Sequence, residues 1–148
     1  MKSSRPTSEL LELLASRGLA ATTQRLALLA AVLDSHDRHL SAEDLYRELS
    51  EELPTLSRAT VYNNLAALGA AGLIEKLETP DGSRYGPVAR PHVNLVCTAC
   101  GSISDVLVGD PDLEALIDRA AASGQFQPRS VSLSVNGLCS PCASAAAG

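Results

Sequence analysis

Apolar residues recur at helical spacing through the first half of the chain and at alternating spacing through most of the second. Leu10, Leu11, Leu13 and Leu14 make one face of a first helix, which Ser8 can cap and Gly18 can stop. Thr22 or Thr23 opens a second helix through Leu26, Leu29, Ala30 and Leu33. Ser41 with Asp44 three residues on has the form of a capping box before Leu45, Tyr46 and Leu49. Pro54 interrupts, and Ser57 starts a fourth helix that turns Val61, Leu65 and Leu68 inward and ends at Gly69 and Gly72. Residues 73–77 then alternate as a strand. Pro80-Asp81-Gly82 marks a turn, and 83–85 return as a second strand. Helix, turn, helix and hairpin in that order predict a winged helix.

The pattern changes after Pro87. Residues 93–97 and 103–107 read as strands, and Asp110 caps a helix with Pro111 in its first turn and Leu113, Leu116 and Ile117 on one face, ending near Ser123-Gly124. Residues 130–135 alternate as a third strand, and the alanine-rich tail from Ala143 reads as low-complexity and frayed. The prediction is α+β: a winged helix-turn-helix domain over residues 1–87, and a small α/β domain over 88–148. Three strands on so short a segment leave bare edges, which a second copy can cover. A homodimer of winged helices reads an inverted repeat.

All four cysteines fall in two pairs with two residues between partners, Cys97/Cys100 and Cys139/Cys142. Four thiolates suit zinc in a tetrahedron, and each short spacing lets one turn aim both sulfurs at one ion. Such a site is closed, so its role is structural. A redox pair is disfavoured, because no strand-then-helix start surrounds Cys97, and a disulfide ranks lower still.

Composition narrows the function. No apolar run approaches the roughly 20 residues that span a bilayer, and the first residues lack a secretory signal pattern, which points to a cytoplasmic protein without membrane contact. The net charge is −5 over 148 residues, and the first 90 carry ten Lys/Arg against twelve Asp/Glu. A nucleic-acid contact must therefore come from a local cluster. Arg58, Thr60, Tyr62, Asn63 and Asn64 on the fourth helix form such a polar set, with Arg25 and Arg17 available for phosphates. Residue types alone leave open whether this face reads DNA or is a solvated surface of a protein-contact module. No nucleophile–base pair, phosphate loop or open metal site appears, which argues against an enzyme.

The segment SRATVYNNLAALGAAGLIEKLE, the hairpin after it, and then VCTACGSISDV and NGLCSPC resemble the ferric uptake regulator family of metal-dependent repressors, from about Thr23 to Cys142. The resemblance implies a winged-helix DNA-binding domain, a dimerisation domain, a structural zinc on the four cysteines, and DNA-facing positions at Arg58 and Tyr62. It also implies a regulatory iron(II) or manganese(II) site at the hinge between domains. In the peroxide-sensing branch, which the double cysteine motif most resembles, three histidines and two aspartates build that site, and peroxide acts through oxidation of the histidines by bound iron. This chain supplies His39, His92 and Asp105; Asn94 and Gly86 stand at the other two positions. Asn94 is a weak oxygen donor, and His36 or Asp81 are candidate replacements. A further site of other branches is absent, its late histidine falling at Val131. Three readings follow: a peroxide-responsive repressor, a manganese or iron-homeostasis repressor without peroxide chemistry, and a member that has lost sensing and binds DNA constitutively.

Overall fold

The computed structural model describes residues 4–36, 38–88, 92–107, 111–128, 131 and 133–148, the side chains of 92, 107 and 112 excepted. The chain divides into two compact units, Met1–Glu78 with Gly82–Val88, and Thr79–Asp81 with Ala89–Gly148.

The first unit contains helices α1 (Thr7–Ser16), α2 (Thr23–Leu33), α3 (Ala42–Ser50) and α4 (Arg58–Ala70), and the hairpin β1 (Ile74–Thr79) and β2 (Gly82–Pro87). Side-chain caps set where three helices begin. Thr22 accepts from the Arg25 N–H, Ser57 accepts from the Thr60 N–H, and Ser41 with Asp44 completes the capping box in both directions. The first helix departs from expectation. It starts at Thr7, one residue before the expected cap Ser8, with Pro6 at the capping position and no side-chain bond there, because the fixed φ of proline already sets the entry. Gly18 and Gly72, both at positive φ, end α1 and α4 as the pattern requires.

Leu14, Leu28, Leu29, Leu45, Leu65 and Leu68 are fully enclosed where the helices meet. Each such leucine contributes on the order of 2 kcal/mol of transfer free energy. Leu40, between α2 and α3, exchanges both backbone bonds with Tyr85 of β2, at 2.9 and 2.8 Å. This bridge, which the sequence pattern did not reveal, fastens the hairpin to the helices. Arg84 of β2 adds an ion pair with Asp44, 3.3 Å apart.

The second unit holds β3 (His92–Cys97), β4 (Ile103–Leu107), α5 (Pro111–Ser123), β5 (Leu133–Gly137) and α6 (Ser140–Ala147). The sheet order is β4-β3-β5, with β3 antiparallel to β4 and parallel to β5. The expected cap Asp110 and the expected strand start at residue 130 lie outside the described residues. The tail is not frayed: from Ser140 it forms α6, which has Cys139 at its N-cap and proline in its first turn. Alanine has the highest helix propensity, so low complexity here means helix once the first turn is fixed.

Register places Val93, Leu95, Val106, Leu133 and Val135 on one face of the sheet and Asn94 and Asp105 on the other. Leu95, Val106 and Val135 are exposed on that apolar face. Contiguous exposed apolar surface of this kind marks an association face. No described helix is long and apolar enough to cross a membrane.

Candidate nucleic-acid interface and metal centre

Helix α4 follows α3 and packs against both α2 and α3. Its inward stripe of Val61, Leu65 and Leu68 leaves Arg58, Tyr62 and Asn63 to solvent. Tyr62 is 56% exposed, and Asn63 and Arg58 are also exposed. Thr60 is half-buried, its hydroxyl 2.8 Å from Ser57 Oγ at the helix start.

Three residues of the expected polar face have other work. Asn64 is buried. Its side chain accepts from Arg25 Nε at 3.0 Å and donates to the Thr60 carbonyl at 2.9 Å. Arg25 also donates to the Ala20 carbonyl at 2.7 Å, so it joins α2 to α4 rather than projecting as a freely presented phosphate contact. Arg17 donates to the Ala71 carbonyl at 3.0 Å, holding the end of α1 to the end of α4. The spacing of Asn64, three residues from Val61 and one from Leu65, puts it at the edge of the core stripe, and that signal was present in the sequence.

Arg58, by contrast, is engaged without being buried. Its Nε and Nη2 donate to the two carboxylate oxygens of Glu43 on α3, at 2.9 and 2.8 Å. Its guanidinium lies 4.2 Å from the centre of the Tyr46 ring. The Arg58 hydrogen bond holds the Glu43 carboxyl below its usual range. Nothing in the sequence pattern indicated this partner, because the two residues come from different helices.

In the second unit the four sulfurs of Cys97, Cys100, Cys139 and Cys142 all lie within 4.8 Å of one another. Two ligands of a tetrahedral zinc ion at about 2.3 Å are separated by about 3.8 Å. Cys100 Sγ and Cys139 Sγ are 3.8 Å apart, which fits. The backbone builds this cage. The Cys97 N–H bonds the Ser102 carbonyl at 2.9 Å across the knuckle, Gly101 turns at φ +72°, and the Thr98 N–H bonds the Gly137 carbonyl of β5 at 2.8 Å. The Cys139 N–H donates to Cys97 Sγ at 3.4 Å. Backbone N–H groups of Cys100 and Cys139 bring the Cys97 thiol down to about 6. The Ser102 hydroxyl lowers Cys100 in the same way. Cys142 is pushed up to about 12, first by its hydrogen bond with Cys139 and then by those with Cys100 and Cys97, which hold the proton on this sulfur. A divalent cation in the cage would displace that proton, the thiols binding as thiolates.

The expected regulatory ligands are placed as follows. His39 lies just before α3, and its ring fills the space beside Gly86 of β2: a Cβ there would come 2.6 Å from His39 Cδ2. An aspartate at position 86 requires that ring to turn away. Asn94 is fully buried on β3 and donates from Nδ2 to the Leu133 carbonyl of β5 at 3.4 Å. Asp105 of β4 is its cross-strand partner and is exposed. His92 opens β3 opposite Leu107, and its side chain lies outside the described residues.

A winged helix joined to a small sheet with a tetrathiolate cage defines a class of regulator rather than an enzyme. The description "Ferric uptake regulator family" matches residues 16–136, and the chain belongs to that family. It is similar to the peroxide operon regulator of Bacillus subtilis (strain 168), 35% identical over 135 residues that cover 90% of this chain and 91% of that protein. Among solved structures it resembles the Helicobacter pylori ferric uptake regulator, whose structure reveals three functional metal binding sites, at 26% identity and TM-score 0.68 with 97% of each chain covered. It also resembles a zinc uptake regulator complexed with zinc and DNA, at 28% identity and TM-score 0.59, covering 98% of this chain and 100% of the other.

Proposed function

We propose that this protein is a dimeric, metal-dependent repressor that acts in the cytoplasm and binds an inverted-repeat operator in double-stranded DNA, with α4 of each protomer in the major groove. The observation that carries the reading is the exposed N-terminal half of α4, where Arg58, Tyr62 and Asn63 stand out from a helix whose start is fixed by the Ser57 cap. Thr60 supports that start, and Arg25 orients α2 against α4. Residues 1–87 serve DNA binding. Residues 88–148 serve dimerisation through the apolar sheet face, with structural zinc held by Cys97, Cys100, Cys139 and Cys142.

A regulatory iron(II) or manganese(II) ion is held by His39, His92 and Asp105, with Asn94 as a weaker oxygen donor. Likeness to peroxide regulators supports control of peroxide-stress genes, in which iron-bound protein exposed to peroxide gains oxygen on His39 or His92. One observation favours a second reading. The His39 ring occupies the space beside Gly86, which offers no side-chain ligand, and Asn94 is a neutral donor, so a chain with weak or lost sensing that binds DNA constitutively is the alternative.

Anaerobic calorimetric titration of zinc-loaded protein with manganese(II) and iron(II), wild type beside His92→Ala, separates these readings. One ion per chain, lost in the variant, is the expected result. No binding beyond zinc selects the constitutive reading. Peptide mass spectrometry after iron and peroxide then distinguishes oxidation of His39 or His92 from metal homeostasis without it.

A further inference from the structure

We propose that Glu43 is a specificity-determining residue: it clamps one edge of Arg58, so that helix α4 presents this arginine to DNA as a fixed end-on fork rather than as a mobile phosphate contact. The inference rests on the reading of α4 as the recognition helix.

Arginine has two edges that make paired hydrogen bonds, Nε with Nη2 and Nη1 with Nη2. Glu43 takes the first edge with both oxygens, at 2.9 and 2.8 Å. The second edge is the one that matches O6 and N7 of guanine in the major groove. Tyr46, one turn along α3 from Glu43, supports the guanidinium plane at 4.2 Å from its ring centre. The chain's own geometry thus fixes the fork in two directions while the Arg58 side chain stays 60% exposed.

An exposed ion pair of this kind contributes little to stability. Its effect falls on recognition. A guanidinium held by carboxylate and ring loses less rotamer freedom when it meets a base. The carboxylate also cancels the charge that would draw Arg58 to any phosphate, and it repels the DNA backbone in mis-registered encounters. The unit's lack of net positive charge makes such discrimination matter, because few cations serve both specific and non-specific binding.

The test begins by selecting a random-sequence duplex library with zinc-loaded, manganese-supplemented wild-type protein. Affinities for the recovered duplex and a scrambled duplex are then measured over a range of salt for wild type, Glu43→Gln and Arg58→Lys, with circular dichroism to show that each folds. For Glu43→Gln, binding to the scrambled duplex tightens several-fold and its log–log salt slope steepens by about one. The ratio of recovered to scrambled affinity falls about tenfold. For Arg58→Lys, which keeps the charge and loses the fork, the ratio falls comparably with little change in slope. A Glu43→Gln protein with wild-type ratio and slope overturns this proposal alone. A wild-type protein that enriches no sequence overturns the recognition reading and this proposal with it.

Discussion

Arg25 and Arg58 carry the same charge and meet different fates, and neighbouring residues decide which. Arg25 is drawn inward by Asn64 and the Ala20 carbonyl, whereas Arg58 is held at the surface by Glu43 and Tyr46. Asn64→Ala leaves the part-buried Arg25 side chain without its Nε acceptor, and such a loss costs about 1–3 kcal/mol. A lowered midpoint of thermal unfolding is the expected outcome, and an unchanged midpoint contradicts the structural role. The core stripe of α4 could be read from Val61, Leu65 and Leu68 alone. The partner of Arg58 could not, because side-chain pairing between helices depends on a packing geometry that periodicity does not encode. The same limit applies to His39 and Gly86: the sequence shows a glycine at position 86, and only the fold shows an imidazole beside it.

At the scale of elements, the caps were the most legible features because they act within a few residues. Ser41 and Asp44 open α3 as the sequence predicts, and Ser41→Ala costs about 1 kcal/mol. The pH dependence follows from the same box. Asp44 is held below its usual carboxylate value, first by the Ser41 hydroxyl and then by the Ser41 backbone N–H. Its folded pKa lies below its unfolded one, so its stabilisation is present above the unfolded value and is lost as pH falls through the folded value. Thermal melts from neutral pH down to about pH 3 therefore show a steeper acid limb in wild type than in Ser41→Ala; parallel limbs contradict the capping role. Helix α6 was less legible. Its start depends on Cys139 and Cys142, whose conformation the four-sulfur cage and the β5 register set together, and both are long-range features.

Across the whole molecule, the two units are stabilised by different physics. The first has an enclosed leucine core, whereas most described side chains of the second are exposed or half-buried in the isolated chain. The second unit therefore depends on zinc and on a partner surface. Structural zinc binding is worth on the order of 10 kcal/mol and is part of folding. Cys139→Ser, or zinc removal by a strong chelator, is expected to lose the dimer in sedimentation while the helical signal of α1 to α4 largely persists; a stable zinc-free dimer contradicts this division. The fold and cage were legible because spacing and periodicity are local. The proposed regulatory set was legible only in part, with a neutral donor at Asn94 and none at Gly86, since sequence does not show that Asn94 is fully buried on β3 or that the His39 ring lies beside Gly86.

The central claim is that α4 reads DNA under control of a divalent metal, and the most direct measurement is affinity for a duplex recovered by selection, with zinc retained throughout. Wild-type protein is compared with Tyr62→Ala in the presence and absence of added manganese(II). Tight binding with manganese, at least about tenfold weaker binding without it, and a comparable loss in Tyr62→Ala at unchanged thermal stability are expected. Equal affinity with and without manganese, together with an indifferent Tyr62→Ala, would contradict that claim.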